Sequence, residues 1–176
     1  MTPICAKRIM IFGKPGAGKS TFALKLHKKL GLPLHHLDAY FFTHHWTKRN
    51  YQEFMAIQHD LVNQDAWIID GNCTRSLETR YAHADICIYF NFPRRHCLWG
   101  IIKRFFDKDR AIQDRAPECY EKITWQLISY LWTFHIRVHD AIANLQENYP
   151  HVHFIEVTNR HALQSLTLQI QNTLNR

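Results

Sequence analysis

Short, unbroken apolar runs alternate along the chain with longer stretches whose apolar residues recur every three or four positions. Arg8-Ile9-Met10-Ile11-Phe12 is the first run and has the composition of a strand buried on both faces of a parallel sheet. Over 21–30, Phe22, Leu26 and Leu30 fall every fourth residue, Ala23 and Leu24 widen the stripe, and Gly31 and Pro33 stop it, which predicts a helix. Residues 34–38 predict a short outer strand opened by Pro33, with Asp38 at its end. A helix follows over 51–63, with Phe54, Ile57, Leu61 and Val62 on one side. Trp67-Ile68-Ile69-Asp70 predicts a strand closed by the turn signal Gly71-Asn72, and 74–81 a short helix carrying Arg75 and Arg80. The fourth strand is 86–90. Pro93 opens a helix with Leu98, Ile101, Ile102, Phe105 and Phe106 as its core side.

A long helix is predicted over 118–147, where Tyr120, Ile123, Leu127, Leu131, Phe134, Val138, Ile142 and Leu145 step by threes and fours. Core packing of one helix face also accounts for Trp125 and Trp132. Residues 152–157 form the fifth strand, and Thr158-Asn159 can start a last helix. Strands alternating with helices define an α/β class: five parallel strands, right-handed crossovers, helices on both faces and the first strand central. At 176 residues the chain is most simply one domain spanning 1–176.

The stretch between the first strand and first helix carries the chemistry. Gly13-Lys14-Pro15-Gly16-Ala17-Gly18-Lys19-Ser20 fits G-x-x-x-x-G-K-[ST], and strand, glycine-rich loop, helix is the context this phosphate-binding motif needs. Backbone N–H groups of such a loop converge on an anion at the positive end of a helix. Lys19 adds a mobile charge for the β- and γ-phosphates, and the Ser20 hydroxyl is placed to ligate Mg²⁺. Thr21 is either an ordinary helix residue or a neighbour of the α-phosphate.

Open α/β sheets bind ligands beyond the carboxyl ends of their strands, where Asp38 and Asp70 fall. Asp70 ends an apolar run in the manner of a Walker B segment; it either holds Mg²⁺, directly or through water, or caps the next helix. The stretch 39–50, with Tyr40, Phe41, Phe42, His44, His45 and Trp46, forms an acceptor pocket or packs on the following helix. Lys103, Arg104, Lys108, Arg110 and Arg115 precede Pro117 in a charged interval that reads either as a lid over about 107–118 or as a solvated surface.

Charge and rare residues narrow this little. A net +7 favours polyanionic partners, which nucleotides satisfy and nucleic acid would too, yet no zinc finger, basic zipper or RNP-type motif accompanies it. Cys5, Cys73, Cys87, Cys97 and Cys119 are scattered and odd in number, so free thiols are expected. His35-His36 and His44-His45 lack the spacing of a metal framework. Lys14 interrupts an apolar start too short for a signal peptide. The uncharged run 123–136 falls short of a membrane span, so a cytoplasmic protein is expected.

With these residues assembled, the chain resembles the topology modulation protein family, small bacterial P-loop proteins close in architecture to adenylate and shikimate kinases. The likeness rests on GKPGAGKS, HLDAYFF followed by HHW, WIIDGN followed by Arg80, FPRRHCLWGIIKRFF and ITWQLISYLW. It implies strand order 2-3-1-4-5, an adenylate-kinase-like P-loop sandwich with a short lid, and ATP on residues 13–20. It also implies Asp38 and Asp70 at the transfer site, with Arg104, Arg110 and Arg115 in the lid region. Cys73-Thr74 stand where family members often have Tyr then Gly. The expectation is a Mg²⁺- and ATP-dependent phosphotransferase acting on a small molecule, plausibly a nucleoside or nucleotide, as a monomer or homodimer. In it Asp38 orients the acceptor hydroxyl, Arg80 steadies an anionic acceptor and a lid arginine meets the moving charge. The rival expectation is a nucleotide-dependent regulator of DNA topology with little or no kinase activity. A GTP switch lacks its guanine reader, since no N-K-x-D-like segment is present.

Overall fold

The computed structural model describes residues 7–106, 119, 123–163, 165, 166 and 170. β1 (Arg8–Gly13) is the central strand because its residues are apolar on both faces. Ile9 and Ile11 enter one core, and Met10 and Phe12 the other. On its two edges it pairs in parallel with β3 (Trp67–Asp70) and β4 (Ile86–Phe90). β2 (Leu34–His36) lies outside β3, and β5 (His153–Val157) outside β4. The order is β2-β3-β1-β4-β5, all parallel: the central first strand is the one the sequence pattern predicts, and the order is the one the family resemblance implies.

Helices cover both faces. α1 (Lys19–Leu30) buries Phe22, Ala23 and Leu26 in the first core, joined by Cys97 and Ile101 of α5 (Arg94–Phe106). α3 (Tyr51–Val62) supplies Phe54, Leu61 and Val62 to the second, with α4 (Leu77–Tyr81) and α6 (Trp125–Asn148) beside it. The Asn50 side chain caps α3 by accepting from the N–H groups of Gln52 and Glu53. Cys73, Cys87, Cys97 and Cys119 are free thiols.

Four expectations need correction. The second strand stops at His36, and residues 37–41 wind into α2 (Leu37–Phe41), so Asp38 stands in a helix's first turn and not at a strand end. Leu37, the first residue of that helix, is buried and packs closely against Gly71, just after β3. α5 turns only its Cys97–Ile101 side to the core, and Phe105 and Phe106 at its last turn are exposed. α6 begins at Trp125, where the Thr124 hydroxyl accepts from Leu127 N–H; Ile123 is exposed before it. Along α6, Leu131, Phe134, Val138 and Leu145 are buried as expected, whereas Trp125 is 84% exposed and belongs to the opposite face. Tyr120 and the expected lid, 107–118, lie outside the described residues.

Candidate functional site

Three parallel strands end side by side at one edge of the sheet, and the loop after the central one bends over them. The Gly13 N–H donates to Asn72 Oδ1 at 2.9 Å, tying the loop's entry to the turn after β3. The Lys14 side chain is buried and turned beneath the loop, its Nζ donating to Phe92 O at 3.0 Å. Burial pushes that ammonium below the ordinary lysine value. The Lys14 N–H donates to Phe90 O at 3.0 Å, so Lys14 holds the loop's shape and leaves anion binding to other residues. Pro15 and Ala17 are buried, and Ala17 is part of the first core.

Gly16 explains why this loop has one shape. Its φ is +78°, and a Cβ there would strike the Cys97 carbonyl on α5. Reciprocally, a Cβ on Gly100 would strike Gly16 O. Loop and helix thus meet backbone to backbone. Gly100→Ala is expected to cost about 2 kcal/mol of stability, as overpacking does. It should also weaken nucleotide binding, because α5 must retreat from the loop; urea unfolding and calorimetry check both.

Gly18 is the N-cap of α1 and supplies no side-chain bond, and the first turn holds no acidic residue. The first N–H groups of this twelve-residue helix are therefore left for an anion. Ser20 is half-buried and Thr21 exposed at this turn. Lys19 is half-buried, and its Nζ donates to Lys14 O at 3.0 Å. Burial lowers its pKa, Asp70 and then Asp38 oppose that shift, and Arg104 reinforces it. Lys19 thus feels the charges of Asp70, Asp38 and Arg104.

Asp70 is 4% exposed at the end of β3. Its Oδ2 lies 3.1 Å from His36 Nδ1, and its Oδ1 is buried with no hydrogen-bond partner among the described residues. A buried carboxylate oxygen left this way suits a cation. Together with the Ser20 hydroxyl it gives hard oxygen donors of the kind Mg²⁺ takes when substrate phosphates complete its shell. Among the described residues no group of three or more His, Cys, Asp or Glu is placed to hold a metal ion.

Asp38 is exposed in the first turn of α2. Tyr130 of α6 sees the charge of Asp38; burial first, then Asp38, pushes its hydroxyl up to about 12. The aromatic stretch divides. Phe41 packs edge-on against Phe54 of α3, while Phe42 and Trp46 pair at 4.9 Å in the 3₁₀ segment's neighbourhood, with His44 and His45 exposed.

Arg80 does not take its expected place. It is fully buried, donating to Gly71 O at 2.9 Å, Cys73 O at 2.7 Å and, more loosely, Ser76 O at 3.4 Å. Burial pushes its guanidinium down to about 10. The side chain braces the turn after β3 and has no donor face toward an acceptor. Arg110 and Arg115 lie outside the described residues. Missed from the sequence were His36, Asn72, Gly100 and Tyr130. Asn72 sat beside a motif aspartate, but nothing in one sequence marked the other three.

The sheet order, the glycine-rich loop and the helix covering define a P-loop kinase-like fold. A shikimate kinase from Acinetobacter baumannii, solved with shikimate, matches over 97% of this chain and 93% of its own, at 17% identity and a TM-score of 0.58. The deoxyadenosine kinase of M. mycoides, solved with dCMP and dCDP, matches over 96% and 98%, at 18% identity and a TM-score of 0.53. A gluconokinase from Sinorhizobium meliloti matches over 97% and 93%, at 11% identity and a TM-score of 0.51. No family model and no curated protein sequence matches the chain. No described helix is long and apolar enough to cross a membrane.

Proposed function

We propose that this chain is an ATP-dependent phosphotransferase that moves the γ-phosphate to a hydroxyl of a small molecule of the nucleoside or nucleotide class. The observation that carries the reading is a P-loop between the central strand and α1 whose Lys19 feels the charges of Asp70 and Asp38, beside a buried Asp70 oxygen that has no hydrogen-bond partner among the described residues. The N–H groups of Gly16, Gly18, Lys19 and Ser20, with the Lys19 ammonium, hold the triphosphate; Gly13, Lys14, Pro15 and Ala17 shape the loop, the N–H groups of Gly13, Lys14 and Ala17 being bonded within the protein, and Thr21 closes the turn. Mg²⁺, held by Ser20 and Asp70, supplies neutralisation of phosphate charge. Asp38 orients the acceptor hydroxyl and takes its proton. Arg104, at the end of α5, adds positive charge beside Lys19, and Arg110 and Arg115 belong to the same basic segment. Shikimate, gluconate and deoxyadenosine kinases among the fold neighbours support a small hydroxyl acceptor.

The test is phosphate transfer from labelled ATP across a panel of nucleosides, nucleotides and sugar acids, with Asp38→Asn as control. Transfer that Asp38→Asn reduces supports the reading; no transfer to any of them removes it. The net charge of +7 and the topology modulation resemblance favour a second reading, a nucleotide-gated regulator binding DNA. ATP-dependent DNA retardation that survives moderate salt would select it, whereas binding that salt alone abolishes is charge attraction.

A further inference from the structure

His36 had no role in the reading above. It ends β2, as Asp70 ends β3, and the two are Cα partners in the parallel ladder. Paired residues in neighbouring strands project to the same face, and here Nδ1 of His36 reaches Asp70 Oδ2 at 3.1 Å. The pair is nearly closed to solvent, with side-chain exposures of 12% for the histidine and 4% for the aspartate. An ionised carboxylate only accepts, so the histidine must donate, which fixes the hydrogen on Nδ1. One oxygen of Asp70 is thereby held, and the other, Oδ1, is left buried without a partner among the described residues.

We infer that His36 is a positioning residue: it clamps Oδ2 so that Oδ1 is presented to the magnesium ion of bound ATP. This rests on the phosphotransferase reading and adds to it the residue that sets metal affinity. Free to rotate, the Asp70 carboxylate would lose orientation each time it is called on to bind. Partners of a ligating group that fix its direction commonly set metal affinity by about 10–100-fold. His36 touches neither nucleotide nor acceptor in this assignment; it acts through Asp70.

The experiment titrates magnesium into the ATP-loaded parent, His36→Ala and His36→Asn, following heat, and measures metal-free ATP binding separately. His36→Ala should bind magnesium about 10–100-fold more weakly with metal-free ATP affinity unchanged. His36→Asn, whose Nδ2 can replace the Nδ1 donor, should recover most of the loss. Equal magnesium affinity in parent and His36→Ala overturns the assignment while leaving the phosphotransferase reading intact. Failure of His36→Asn to rescue overturns the clamp as a hydrogen bond. A parent that binds no magnesium ATP overturns both. Independently of how the variants fold, ¹⁵N NMR of the parent at pH 8 should find His36 in its Nδ1–H form, and an Nε2–H form sinks the proposal.

Discussion

Lys19→Ala is expected to lose ~10²–10³-fold in kcat for phosphate transfer, the scale set by deleting one preorganised donor from a site of developing charge. Its ammonium feels the charges of Asp70, Asp38 and Arg104, and Arg104 acts on it as a like charge. The fold should survive. Among the described residues the Lys19 ammonium donates to Lys14 O, a bond within its own loop, and burial already disfavours its charged form. The pH dependence has a definite sign: with the folded pKa below the unfolded one, the unfolded chain binds more protons between the two values. Stability therefore rises with pH across that window in the parent, and less so in the variant. Lys14 contributes in the same direction. Transfer kinetics, calorimetry with ATP, and urea midpoints from pH 7 to 10 separate a lost charge from a lost fold. Parent-like ATP binding by Lys19→Ala would remove the loop from the mechanism.

Arg80→Met should instead unfold the protein long before it informs on catalysis, with an expected loss of about 3–5 kcal/mol. The arginine's donors serve three main-chain carbonyls in a dry environment, and methionine fills the space without satisfying them. Arg80→Lys should recover only part of that, since one ammonium cannot reproduce the planar fork. Urea unfolding decides. A parent-like midpoint with a raised acceptor KM would restore the acceptor-binding role that burial denies it.

What the sequence made legible follows from periodicity and from backbone chemistry. The runs at 8–12, 67–70 and 86–90 are apolar on both faces, which only interior parallel strands tolerate, and so the central place of the first strand and the position of the P-loop could be anticipated, while the strand order came from the family resemblance. The loop itself was readable because its glycines and lysine are bound to a local geometry. Pairings between distant positions were not readable. His36 meets Asp70 through ladder register, 34 residues apart, and nothing near either announces the other. Arg80 was misread for the same reason: an arginine after an Asp-Gly-Asn turn has the same letters whether it faces solvent or folds back on the turn's own carbonyls. Helix ends failed where local caps outweighed the stripe, as at Thr124. The tryptophans of α6 show that spacing reports a helix face only when the set is homogeneous.

The meeting of Gly16 with Gly100 has a consequence for transplantation. Eight consecutive residues that bind phosphate look portable, yet their shape is cast against a helix more than eighty positions downstream. A graft of the octapeptide into another scaffold would need a bare α-carbon opposite residue 16, and any host presenting a methyl group there would spoil the mould.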